Sequence, residues 1–312
     1  MFEAENEIET EFEQLTLETK NQREICSVVF KVENDKLGID DNPYDLDLFG
    51  KKMVDYVSNA VFDTDVRFAY CEFGEDVLEK IKATTNKNSK YTVVLFSDTP
   101  LFRHKTFLQI MEYFEMKKLL ALKLTRGYVF QTSYLLALEN LDNLQMQYFE
   151  EEDFITCSSL KQVSFATDVL KNRILDFFMQ NGVVIKDPAS TFIDAEVDVA
   201  KNVIIEPFNI IQGNTIIEHN VHLKSGNKLE DAIICENSVL EGAVIKNSFV
   251  GKNCNIENGA VIENKAKICD GVRIPAYSTF DGVVVESADK LSSFVNYSPK
   301  EEEWYAFDCW TW

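Results

Sequence analysis

The chain is short of positive charge, with 31 Lys and Arg against 52 Asp and Glu and a formal net charge of -21. That balance excludes nucleic-acid binding through phosphate neutralisation, which needs an excess of Lys and Arg, and it disfavours an anionic membrane surface. Only three histidines are present, His104, His219 and His222, which leaves little for a zinc site. No apolar run reaches the roughly 18 residues needed to span a bilayer. The opening MFEAENEIETEFEQ has the wrong charge for a signal peptide. The seven cysteines are scattered singly, without CxxC spacing, and read as reduced thiols in a cytoplasm. Tryptophan is confined to Trp304, Trp310 and Trp312.

What is present is a repeat with a step of six. Ile193, Val199, Ile205, Ile211, Ile217, Leu223 and Leu229 form one unbroken series, and Val244, Val250, Ile256, Ile262, Ile268, Ile274 and Phe280 a second. A smaller set follows four residues behind, at Val197, Val203, Thr215 and Val221, then Cys254, Ala260, Ala266 and Val272. Six residues suffice for one short strand and one turn, and are too few for a helical repeat of about 20 or more. Asn202, Gly213, Asn214, Asn220, Gly242, Gly251, Asn253, Gly259 and Gly271 supply the corners, where positive φ is tolerated. The reading is a parallel β-helix of about five coils. The 15-residue gap between Leu229 and Val244 predicts a bulge or short loop, and His219 and His222 are expected at exposed corners.

At 312 residues the chain can form two cores. Residues 1–24, with Glu at every odd position from 3 to 13, read as an acidic arm. Residues 25–164 alternate strand and helix patterns. ICSVVFKV, VRFAYCEF and YTVVLF are strand-like, the segment from Leu48 to Ala60 is a helix opened by Gly50, and LQIMEYFEM is helical. Such alternation predicts a mostly parallel sheet covered on both faces. Ligands in these sheets lie beyond the carboxyl ends of the strands, where Asp98 falls. Asp98 is a candidate ligand for a divalent cation, with capping of the following turn as the alternative. Residues 165–187 form a linking helix, 188–283 the β-helix, and 284–312 an aromatic tail. That tail either folds back over the last coil or anchors a partner protein.

At the junction, Asn172 and Arg173, then NGVVIKDP, then the Ile193 repeat resemble the bacterial bifunctional N-acetylglucosamine-1-phosphate uridyltransferase / glucosamine-1-phosphate acetyltransferase family. The resemblance implies a left-handed β-helix, homotrimers, and a Rossmann-like nucleotidyltransferase domain. Within that domain LFGKKM resembles the start of the first long helix, SDTPL the metal-binding GDxPL, and RGYVF the strand that opens with Asn-Thr-Gly. It therefore carries over Asp98 as ligand of Mg²⁺ and Gly127 as a cofactor-binding position.

The contents depart from the family. Its glycine-rich triphosphate loop is replaced by KVENDKLGI, in which Glu33 and Asp35 would each oppose a phosphate by about 1 to 3 kcal/mol. Tyr44 follows Pro43 where the family has a lysine, and no asparagine occurs from Leu160 to Gln162. The expected function is a UDP-N-acetylglucosamine pyrophosphorylase-like protein with a degenerate site, a pseudoenzyme that binds a nucleotide sugar or sugar phosphate, or regulates. One alternative is active Mg²⁺-dependent uridylyl transfer from UTP to N-acetylglucosamine 1-phosphate. The other is a trimeric scaffold.

Overall fold

A computed structural model of the chain describes residues 24–33, 42–70, 76–287 and 291–298. Residues 1–23 of the acidic arm, 34–39 of the expected phosphate loop and 299–312 of the aromatic tail lie outside the described residues. The chain divides into two units, Met1–Asp168 and Val169–Trp312.

The first unit is an α/β domain of the Rossmann-like class. Its sheet contains β1 (Ile25–Lys31), β2 (Asp65–Tyr70), β3 (Tyr91–Phe96), β4 (Ala121–Leu124) and β5 (Gly127–Gln131), in the order β2-β1-β3-β5-β4. Strand β1 is parallel to β2 and β3, whereas β5 runs antiparallel to β3 and β4. The apolar runs of β1 and β3 are buried on both faces, as a covered parallel sheet demands. Val29, Val93, Leu95 and Val129 pack with α1 (Met53–Asn59) and α3 (His104–Met116). Their neighbours Val28, Phe30, Val94 and Phe130 face the other way, with α2 (Val77–Thr84) and α4 (Thr132–Ala137).

One expected boundary is corrected. Asp47–Leu48 and Lys51–Lys52 form a hairpin before α1, and Phe49 and Gly50 both have positive φ, at 58° and 73°. Two left-handed residues in a two-residue loop match the twist of a hairpin, so Gly50 makes a turn and does not open the helix.

A long helix, α5 (Leu160–Gln180), opens before Phe165 and stops short of Gly182, whose φ is 89°. Leu175 and Phe178 at its carboxyl end join the core of the second unit.

The second unit is a left-handed parallel β-helix whose three sheets hold six, six and seven strands. That is about six coils where five were expected. The winding begins at Val184–Ile185, within the span read as linker, and adds Val284–Val285 and Asn296–Tyr297 beyond Gly282. The aliphatic series from Ile193 to Phe280 is buried except at Val244, and so is the smaller set behind it. Asn202, Asn220 and Asn253 take the corners with φ of 65°, 60° and 56°.

The gap after Leu229 holds no inserted loop. The buried column runs Leu229, Ile234, Leu240, Ile245 and Val250, so three of its steps are five residues instead of six. Two of these steps shrink a two-residue corner to a single residue in the left-handed region, Asp231 at 49° and Asn247 at 43°. Ile245, not Val244, points inward. His219 sits exposed at a corner, but His222 lies on a strand, where Nε2 is 3.0 Å from Glu206 Oε1. Lys186 and then His222 hold the Glu206 carboxyl below its ordinary range.

Candidate functional site

The chain runs from β1 outward to β2 and returns across the sheet to β3, so the topological switch lies between the carboxyl ends of β1 and β3. The two ends are tied together. The Ser97 amide donates to the Phe30 carbonyl at 2.8 Å, and the Val32 amide donates to Ser97 Oγ at 2.9 Å.

Asp98 follows immediately. Its carboxylate does not cap the next turn but accepts a fork of hydrogen bonds from Arg126, Nε to Oδ1 at 3.1 Å and Nη2 to Oδ2 at 2.8 Å. The guanidinium lies 4.1 Å from the centre of the Phe96 ring, which holds its plane. A bidentate, charge-assisted pair is the strong form of this contact. The Asp98 carbonyl accepts from the Cys157 amide at 2.7 Å. Burial first, and then the Asp98 charge, push the Cys157 thiol up to about 12, so it stays a neutral thiol.

Gly127 stands next to Arg126, at the start of β5. Its φ is +141°, and a Cβ there would lie 2.4 Å from the Val94 carbonyl oxygen. Glycine is needed for the close approach of β5 to β3. The fold thus brings Asp98 and Gly127 to the same end of the sheet, with Arg126 joining them.

At the end of β1, the Lys31 ammonium lies 5.2 Å from the ring centres of Tyr44, Phe68 and Tyr70, and donates to the Tyr70 hydroxyl at 3.0 Å. That hydrogen bond is the leading reason its pKa is raised. Tyr44 is buried, and desolvation raises its own pKa. The position where the resembled family carries a lysine here holds a wall of the aromatic cage around Lys31. Glu33 is exposed, at the edge of the described residues.

A second arginine fastens the segment that carries Cys157. Arg103 donates from Nε to both oxygens of Asp153 at 2.9 and 3.1 Å, and the Thr106 hydroxyl donates to Oδ2. Asp153 is 0 % exposed, and the adjacent Phe154 ring meets Phe102 at 5.5 Å. Reading the sequence did not single out Arg126, Arg103 or Asp153. Nothing local marks them, because each acts through a partner distant along the chain. Among the described residues, no three His, Cys, Asp or Glu side chains are arranged to hold a metal.

Comparison with known proteins supports the repeat most directly. The GMPPB C-terminal domain family matches residues 188–298. The bifunctional protein GlmU of Clostridium novyi is 30 % identical over 135 residues, 43 % of this chain and 30 % of that protein. GlmU of Clostridium beijerinckii is 34 % identical over 142 residues, 44 % of this chain and 31 % of that protein. GlmU of Clostridium botulinum is 35 % identical over 105 residues, 34 % of this chain and 23 % of that protein. The chain therefore spans under a third of the length of these relatives and resembles the GlmU family over that part. A solved 4-diphosphocytidyl-2C-methyl-D-erythritol synthase from Anaerococcus prevotii covers 48 % of this chain and 99 % of its own, at 10 % identity. Its TM-score of 0.36 is too low to bear on the fold.

Proposed function

We propose that the chain is a non-catalytic relative of the nucleotide-sugar pyrophosphorylases, a cytoplasmic protein that binds a nucleotide sugar or sugar phosphate, or regulates a partner enzyme. The observation that carries this reading is the fork of Arg126 on Asp98. Mg²⁺ in phosphoryl chemistry is held by one or two carboxylates, with substrate phosphates and water completing an octahedron. The residues here do not suit it. Each Asp98 oxygen already accepts from the Arg126 guanidinium, whose positive charge opposes a divalent cation at the same carboxylate. Lys31, at the carboxyl end of β1, is held among three rings. Nucleotidyl transfer relies on positioning and charge compensation, and each lost donor costs about 10²–10³ in rate.

The test is pyrophosphate release from UTP and N-acetylglucosamine 1-phosphate with Mg²⁺, in parallel with calorimetric titration of UDP-N-acetylglucosamine. Release should not exceed a no-protein control, and Asp98→Asn should leave that background unchanged. Mg²⁺-dependent turnover abolished by Asp98→Asn would restore the enzyme. Binding without turnover supports the binding reading, whereas neither binding nor turnover leaves a scaffold.

The β-helix is proposed to assemble as a homotrimer. Ile216 and Val284 stand outward on one of its sheets at 42 % and 39 % exposure, apolar surface that a subunit interface would cover. Light scattering should then report three times 35.8 kDa, and a clean monomer would end the idea.

A further inference from the structure

One edge of the β-helix changes its corner length twice in succession. Between the sheet holding Ile211 and the sheet holding Ile217, successive corners are Gly213–Asn214, Asp231, Asn247 and Asn264–Lys265. Two full corners therefore enclose two that are a residue short. Coils stack about 4.8 Å apart, so the shortfall opens a gap roughly 10 Å high along this edge. A cavity of about 320 Å³ lies there, with Asp231, Asn247 and Lys265 among its walls. That volume falls at the low end of the roughly 300–1,000 Å³ typical of ligand sites, so its occupant is small. Places where a fold departs from its own local rule are where function is expected.

The floor of the notch is apolar. Ile233 and Phe249 pair in register on adjoining coils, face outward and are half-buried. Ser248 is buried and spends its hydroxyl on the Lys246 carbonyl at 2.7 Å.

The charges around that floor are unequal. Asp231 Oδ1 accepts from the Asn214 amide at 2.9 Å, and a Cβ at Gly213 would lie 2.3 Å from the same oxygen. The carboxylate is thus drawn onto the preceding coil, whereas Phe249 belongs to the following one. Glu230 is paired with Lys246 at 3.1 Å. Lys265 lines the notch, and the Lys267 ammonium lies 5.6 Å from the centre of the Phe249 ring. In a chain of net charge -21, two lysines beside one half-buried ring are a local reversal of sign. Such a floor and such a rim suit a flat apolar ring that carries a negative group.

We propose that this notch binds a small aromatic anion, with its ring against Phe249 and Ile233 and its carboxylate or phosphate towards Lys265. The site is separate from the one in the first unit and does not depend on it.

Benzoate serves as the probe, followed by saturation-transfer NMR on the full chain. Benzyl alcohol supplies the ring without the charge, and acetate the charge without the ring. Benzoate should bind saturably and the other two about tenfold more weakly or less, the worth of one charge-assisted hydrogen bond or one buried ring. Lys265→Asn, which keeps a residue tolerant of positive φ, should weaken benzoate about tenfold, and Phe249→Ala should do the same. Both variants should retain native circular dichroism, and UDP-N-acetylglucosamine should not displace the probe. The notch opens on the sheet whose Ile216 and Val284 a trimer would cover, so scattering mass is followed alongside. Absence of saturable binding, benzyl alcohol binding as tightly as benzoate, or an affinity indifferent to both variants would overturn the proposal. Displacement by UDP-N-acetylglucosamine would assign the probe to the first unit. A parent that ignores benzoate and loses mass on Phe249→Ala would make the occupant a second copy. Either result also overturns it.

Discussion

Ile211→Asp is expected to abolish the cooperative unfolding transition of the β-helix, whereas Ile210→Asp, one residue away, leaves it nearly intact. Ile211 is 0 % exposed and stacks in register between Ile193 and Leu229. Replacement forfeits about 1.5–3 kcal/mol of apolar burial and places a carboxylate where its desolvation costs several kcal/mol more. A domain stable by only about 5–15 kcal/mol does not withstand that loss. Ile210 points outward at 38 % exposure, and its replacement should cost about 1 kcal/mol. Circular dichroism during urea unfolding distinguishes the two. Equal midpoints would refute the inward and outward assignment on this strand, and with it the single buried column.

Arg103→Ala should be strongly destabilising in the first unit. The cost comes mainly from what is left behind, because Asp153 is fully buried while the arginine side chain is 41 % exposed. Losing one partner of a buried pair costs about 3–5 kcal/mol at most, and the Thr106 hydroxyl that still donates to Asp153 makes about 2 kcal/mol or more the expected loss here. The double variant Arg103→Ala with Asp153→Ala should recover part of that loss, which a simple packing defect would not do. Denaturant midpoints of the two variants provide the measurement. A loss under about 1 kcal/mol for Arg103→Ala would mean that the pair behaves as an ordinary surface contact.

The second unit was legible in the sequence because each coil repeats one requirement, an aliphatic residue inward on every strand and a left-handed residue at the corner. The register after Leu229 was not. Val244 and Ile245 are both aliphatic, so a step of six to Val250 and a step of five look equally regular until one residue is seen to be buried. In the first unit, the doubly covered strands and the position of Asp98 at the end of β3 followed from apolar run lengths, which are local. Gly50 was misplaced because glycine serves both a hairpin turn and a helix boundary.

Partners across the chain were decided by the tertiary structure alone. Arg126 is 28 residues from Asp98, and Asp153 is 50 from Arg103, so no spacing rule joins them. At Gly127, carried over as a cofactor-binding position, the need for glycine comes from the Val94 carbonyl of the neighbouring strand. The sequence by itself determined a hexapeptide β-helix behind an α/β domain, because burial periodicity is written residue by residue. Only the folded chain decided that the Asp98 carboxylate meets a guanidinium, because ion pairing depends on which distant turns the sheet order brings together.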